Sequence, residues 1–144
     1  MSQKEVELNP LTDDHTDRVH PYARGNFITS TRHAWHGVVH VVEHERNARI
    51  HLLFAVAALL LGIFLHISDE GLASVFFAVL IVFLAEVFNT AIERTLDLIE
   101  PRENPQVKLI KDMAAGAVLL AAVGAVFIGI AVFLPAIMRS AWGH

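Results

Sequence analysis

The chain has 144 residues, 54% of them hydrophobic, and no cysteine, which excludes disulfides and thiol chemistry. Its mean hydropathy is +0.49, and its apolar residues stand in long blocks rather than at amphipathic spacing. That excludes an ordinary soluble helix bundle, which needs polar residues every few positions along each helix.

In chain order, residues 1–26 are polar and charged, with Pro10, Pro21 and Gly25 as breakers, and predict a flexible arm. They contain no hydrophobic core of a signal peptide, so no cleavable signal is expected. Over about 30–48 an interfacial amphipathic helix is expected. Trp35, Val38, Val39 and Val42 fall at i, i+3, i+4 and i+7, an apolar face suited to the headgroup layer. His33, His36, His40, His44 and His51 share a second helical face. The i, i+4 pairs among them could hold a metal ion, but no cysteine and no HExxH accompany them, which favours a wet polar face.

Three apolar blocks follow, predicting membrane spans over about 50–67, 72–97 and 108–134, each near the ~20 residues that cross a bilayer. "SDEG" at 68–71 makes the first hairpin, Pro135 is expected to close the third span, and 139–144 form a short tail. The expected fold is thus all-α and integral to the membrane, with residues 27–138 as one domain. Along the third span Ala117, Ala121, Ala125 and Gly129 place a small residue on every fourth position, the pattern of close helix packing in lipid.

Of the 11 Lys and Arg, six precede the first span and four (Arg94, Arg102, Lys108, Lys111) lie in the loop between the second and third or in the span ends that flank it. The positive-inside rule then predicts a cytoplasmic amino terminus and second loop. The net charge of −4 hides this asymmetry, because eight of the 15 acids lie in the arm and in one later stripe. Nucleic acid is not expected as a partner.

That stripe carries the chemistry. In "EVFNTAIERTLDLIEP", Glu86, Asn89, Glu93 and Asp97 sit at offsets 0, 3, 7 and 11, within roughly 80° of one another on a helix. A charged residue within a membrane helix costs about 2.5–3.5 kcal/mol on insertion scales, so it marks function by default. Pairing of these acids with Lys108 and Lys111 is the plain structural alternative. Carboxylates beside the lysines of "KLIKD" could hold Mg²⁺ and a polyphosphate, and a deeper carboxylate could take a proton from a lipid hydroxyl. There is no GxxxxGK[ST], GxGxxG or HRD motif, so a nucleotide site would have to be built from helices. A small proton- or metal-coupled transporter is the alternative function, and would need acids from several spans. A purely structural membrane oligomer would leave Glu86 without a role.

"AEVFNTAIERTLDLIEP", the later "KDMAAGAVLL" and the earlier "GVVHVVEHERNARIHLL" together resemble the small bacterial membrane diacylglycerol kinase and undecaprenol kinase family, over about residues 27–134. The resemblance implies a homotrimer in the bacterial cytoplasmic membrane, with active sites shared between subunits on the cytoplasmic side. It implies transfer of phosphate from Mg-ATP to a membrane lipid's primary hydroxyl. Glu86 matches the catalytic acid and Asn89 its partner near the phosphates. Glu45 and Glu93 match the carboxylates that hold the metal of Mg-ATP, and Lys111 and Asp112 the nucleotide-binding pair. Trp35, Gly37 and Arg49 match positions near the lipid entrance.

The chain departs from the family at three places. His33-Ala34 replace a common Tyr-Ser, and Asn104 stands in place of a nucleotide-side histidine. Ala114-Ala115-Gly116 replace Gly-Ser-Ala, which looks more like the undecaprenol kinases. Lacking a hydroxyl, Ala115 is expected to offer nothing to the esters of a diacylglycerol.

Overall fold

The structure, a computed structural model, describes residues 26–142. The expected arm, apart from Asn26, and the last two residues of the expected tail lie outside this range. Four helices follow in order: α1 (Phe27–His44), α2 (Arg46–Phe64), α3 (Asp69–Ile99) and α4 (Pro105–Trp142), with no strand among the described residues. By contacts the chain divides into two compact units after Trp35. The packing described below is internal to the second.

The continuous helix expected over 30–48 is interrupted at Glu45, which is extended (φ −101°, ψ 121°). Arg49 braces this break by donating from Nη1 to the carbonyl of Glu43 at 2.8 Å. Because an extended residue resets the helical phase, His51 does not continue the histidine face of α1. On α1, His40 and His44 stack with ring centroids 4.1 Å apart, and both rings are exposed. Within α1, Val41 is buried, whereas Trp35, on the face expected to meet headgroups, is 65% exposed.

The hairpin between α2 and α3 is closed by local chemistry. Ile67 N–H bonds to the Gly62 carbonyl and His66 N–H to that of Ile63, while His66 takes φ 50°. This is the left-handed turn that commonly terminates a helix. Ser68 then caps α3 by accepting from Gly71 N–H at 3.2 Å, and Asp69 and Glu70 lie in the first turn, where the helix dipole favours acids.

α2, α3 and α4 are each long and apolar enough to cross a membrane, so the chain is a multi-pass membrane protein. α3 is central, packing against α2 on one side and α4 on the other. Its buried residues, Val75, Ala78, Val82, Glu86, Asn89 and Thr90, run along one face that is hydrocarbon at the α2 hairpin and polar beyond Val82. With 31 residues, α3 is about 46 Å long at 1.5 Å per residue, against about 30 Å of bilayer hydrocarbon. Its ends therefore reach the headgroups. Phe76, Phe77 and Phe88 point away from the protein, as side chains meeting lipid do.

Pro135 does not end the helix. α4 runs through it to Trp142, since proline costs one backbone bond and neighbouring groups in a membrane helix can re-satisfy what it frees. The start of α4 is capped: Asn104 Oδ1 accepts from Gln106 N–H at 2.9 Å, with Pro105 at the first helical position, where its missing N–H is harmless. Asn104→Ala should cost about 1 kcal/mol of stability and Asn104→Asp almost none, read as thermal unfolding in micelles. Equal loss in both variants would remove the capping role.

Candidate active site

The polar part of the α3 face opens into a cleft of about 400 Å³ between α2, α3 and α4. α3 contributes Glu86, Asn89 and Glu93, α4 contributes Ala115, Val118, Leu119 and Ala122, and α2 contributes Asn47, Ile50 and His51. Glu86 and Asn89 are 3% and 8% exposed, which is unusual for such groups in any protein and needs a partner or a role. Glu86 lies within electrostatic reach of His51, Glu93 and Glu45.

One hydrogen bond organises the carboxylates. Asn89 Nδ2 donates to Glu93 Oε1 at 3.1 Å, which orients the Asn89 amide and leaves its Oδ1 buried without a hydrogen-bond partner. A buried acceptor left open costs about 1–3 kcal/mol. It is an oxygen ready for a cation or a donor. Glu93, Asn89 and Glu86 together present only hard oxygen ligands, the kind that Mg²⁺ takes. No group of three or more Asp, Glu, His or Cys among the described residues could hold a metal by itself.

Other expected site residues are placed differently. Glu45 pairs with Arg94 at 3.0 Å, so its carboxylate is spoken for in this arrangement. Asp97, the outermost member of the stripe, leaves the cleft to pair with Lys111 at 2.5 Å. The two lysines near the start of α4 thus divide, Lys111 to Asp97 and Lys108 to Asp112 at 2.6 Å. Asp97, Lys111, Lys108, Arg102 and Asn104 border a second, larger basin of about 700 Å³ at the α3–α4 loop, which Asp112 does not line. Arg49 is engaged at the α1–α2 break. Trp35 belongs to the first unit.

A third cavity, of about 370 Å³, is apolar. Val79 and Val82 of α3 form its floor, Phe54, Ala55 and Ala58 one wall, and Ala122, Ala125 and Val126 the other. It shares His51 and Ala122 with the polar cleft, so the two cavities adjoin along α2 and α4. The sequence reading missed Asn47 and His51 as cleft residues. Their spacing, one turn apart, was visible, but the phase reset at Glu45 that turns them toward α3 was not.

A diacylglycerol kinase of Synechocystis is 37% identical over 114 residues, 78% of this chain and 65% of that protein. This chain therefore spans just under two thirds of that relative's length. An undecaprenol kinase of Bacillus subtilis is 38% identical over 109 residues, 76% of this chain and 89% of that protein. Residues 32–133 match the family described as prokaryotic diacylglycerol kinase, and on that span the chain belongs to the prokaryotic diacylglycerol kinase family, a family of lipid kinases.

Proposed function

We propose that the chain transfers the γ-phosphate of Mg-ATP to the primary hydroxyl of a membrane lipid, a diacylglycerol or undecaprenol. The observation that carries this reading is the apolar groove lying directly beside the buried carboxylate cleft, the two sharing His51 and Ala122 in their walls. A lipid lying across the two has its tail among Val79, Val82 and Ala125 and its hydroxyl beside Glu86. Glu86 takes the hydroxyl proton as general base. The alcohol oxygen bonds to the γ-phosphorus while the bond to the β-phosphate oxygen breaks, releasing ADP.

Glu93 and Glu45 are the proposed carboxylates for Mg²⁺, with Asn89 holding Glu93 in place and turning its free oxygen to the phosphate side. Bound there, the cation would neutralise charge on the transferring phosphate. Lys111, Asp112 and Asn104 are the proposed nucleotide contacts, supported for Lys111 and Asn104 by their place on the loop basin. Trp35 and Arg49 remain proposed for lipid entry.

The concentration of Lys and Arg in the amino-terminal segment and second loop supports a cytoplasmic site in the inner membrane, with α1 in the headgroup layer. A homotrimer with shared sites is the proposed assembly, supported by the resemblance and by the small residues along α4. The transporter reading finds less support, because every acid lining the cleft comes from α3.

Lipid phosphorylation by purified protein in micelles with labelled ATP, with and without Mg²⁺, tests the proposal. Absence of any phosphorylated lipid would overturn it. Ala115 lines the cleft, so Ala115→Ser should shift the kcat/KM ratio toward diacylglycerol over undecaprenol, by about 1 kcal/mol if one hydrogen bond to an ester forms. Competition of the two lipids in mixed micelles measures it, and an unchanged ratio would exclude Ala115 from the lipid contact.

A further inference from the structure

The last two turns of α1 carry an arrangement that the candidate active site does not use. His40 and His44 are displaced by about 40° around the helix axis and about 6 Å along it, and both are exposed. Their rings stack with centroids 4.1 Å apart and planes inclined by 26°. His36 stands at the same spacing before His40, so spacing alone does not choose between the two pairs. The stack does, because it places the His40 and His44 imidazoles side by side.

A hydrogen bond strengthens that choice. Nδ1 of His44 lies 2.9 Å from the His40 carbonyl oxygen. A carbonyl only accepts, so this nitrogen carries the proton and donates, and in the neutral ring Nε2 keeps its lone pair. Metal-ligating histidines are held in this way: the second ring nitrogen donates to a carbonyl or carboxylate, which fixes the tautomer and the ring orientation. No hydrogen bond among the described residues holds the His40 ring. It can turn about its Cβ–Cγ bond until its own lone pair converges on that of His44. Two nitrogens bound to one tetrahedral Zn²⁺ at about 2.0–2.1 Å are ~3.4 Å apart, within reach of rings whose centroids are already 4.1 Å apart.

Imidazole suits Zn²⁺, Cu²⁺ and Ni²⁺, whereas Mg²⁺ takes hard oxygens, so this pair selects a different ion from the oxygens of Glu86, Asn89 and Glu93. No set of three His, Cys, Asp or Glu among the described residues could hold a metal, and His36 stands about 12 Å from His44 along the axis. The protein therefore supplies two ligands, and water completes the shell.

We propose that His40 and His44 form a two-imidazole site for a transition-metal ion of the Zn²⁺ class, which clamps the last turns of α1 just before the chain leaves helical backbone at Glu45. The site is independent of the kinase reading. An ion that binds the folded turn and not the frayed one stabilises it, so amide exchange over residues 41–46 slows when the ion is bound.

The test titrates untagged protein in micelles with Zn²⁺ in excess Mg²⁺, by calorimetry, and follows amide exchange in the same samples. His40 and His44 are exposed and alanine is the best helix former, so His40→Ala and His44→Ala should fold. Each is expected to weaken the tightest Zn²⁺ site by about tenfold or more, the least that loss of a ligand should cost. His36→Ala and Glu93→Gln should leave that affinity near the unmutated level. Exchange over 41–46 should slow with Zn²⁺ in the unmutated protein and not in the His40→Ala/His44→Ala double variant. An unmutated protein that binds no Zn²⁺, or a double variant that binds it equally well, overturns the proposal. So does an equal loss in His36→Ala or in Glu93→Gln, which would put the ion elsewhere on α1 or in the cleft, and so does binding without slowed exchange.

Discussion

Glu86→Gln is expected to lower lipid phosphorylation by about 10²- to 10⁴-fold, the contribution typical of a positioned general base, while Mg-ATP binding stays close to that of the unmutated protein. The side chain is 3% exposed, in a cleft whose other polar members are Asn89 and Glu93 on the same helix and Asn47 and His51 on α2. Glutamine keeps the shape and the packing and removes only the ability to accept a full proton. Nothing about folding should suffer, because a neutral amide is cheaper to bury than a carboxylate. Binding and turnover are therefore expected to separate, which loss of structure could not produce. Single-turnover transfer from labelled ATP, beside a nucleotide titration of the same preparation, reads both. Turnover near the unmutated level would remove Glu86 from the base role.

Much of this site was legible in the sequence because a helix enforces its own geometry. Once Leu72–Ile92 is read as a span, offsets of three and seven put Glu86, Asn89 and Glu93 on one face, and the structure has them lining one cleft. The three spans were legible for the same reason, since about 20 apolar residues have few other uses. What the sequence left hidden depended on single backbone angles and on long side chains choosing among partners. The extended backbone of Glu45 ends α1 and sets the phase of α2, which is why His51 leaves the histidine face and joins the cleft. Asp97 belongs to the stripe by spacing, yet Lys111 draws it out to the loop. Pro135 reads as a stop by the rules of soluble helices, and α4 passes through it.

The two proposed metal carboxylates are expected to differ in weight, with Glu93→Ala weakening Mg-ATP binding more than Glu45→Ala. Glu93 faces the cleft and is oriented by Asn89 Nδ2, so its loss removes a ligand and frees the amide that fixed the open oxygen of Asn89. Even losing a group that merely orients a ligand costs about 10- to 100-fold in metal affinity, and losing the ligand should cost at least that. Glu45 sits across from Arg94 at 3.0 Å, in a pair whose side chains are 31% and 49% exposed. Such a partly exposed pair contributes about 1 kcal/mol or less to stability, so Glu45→Ala should fold. To reach a cation, Glu45 must release Arg94, and in Glu45→Ala that same guanidinium is freed to meet the phosphates. A smaller loss follows, together with weaker dependence on Mg²⁺, because a fixed positive charge partly replaces the bridging ion. Calorimetric titration of each variant with ATP across a Mg²⁺ series separates the two effects, with lipid binding as the internal control. Unchanged nucleotide affinity in both variants would take the pair out of the metal site, and a larger loss in Glu45→Ala would make Arg94 a competitor of the nucleotide instead of its partner.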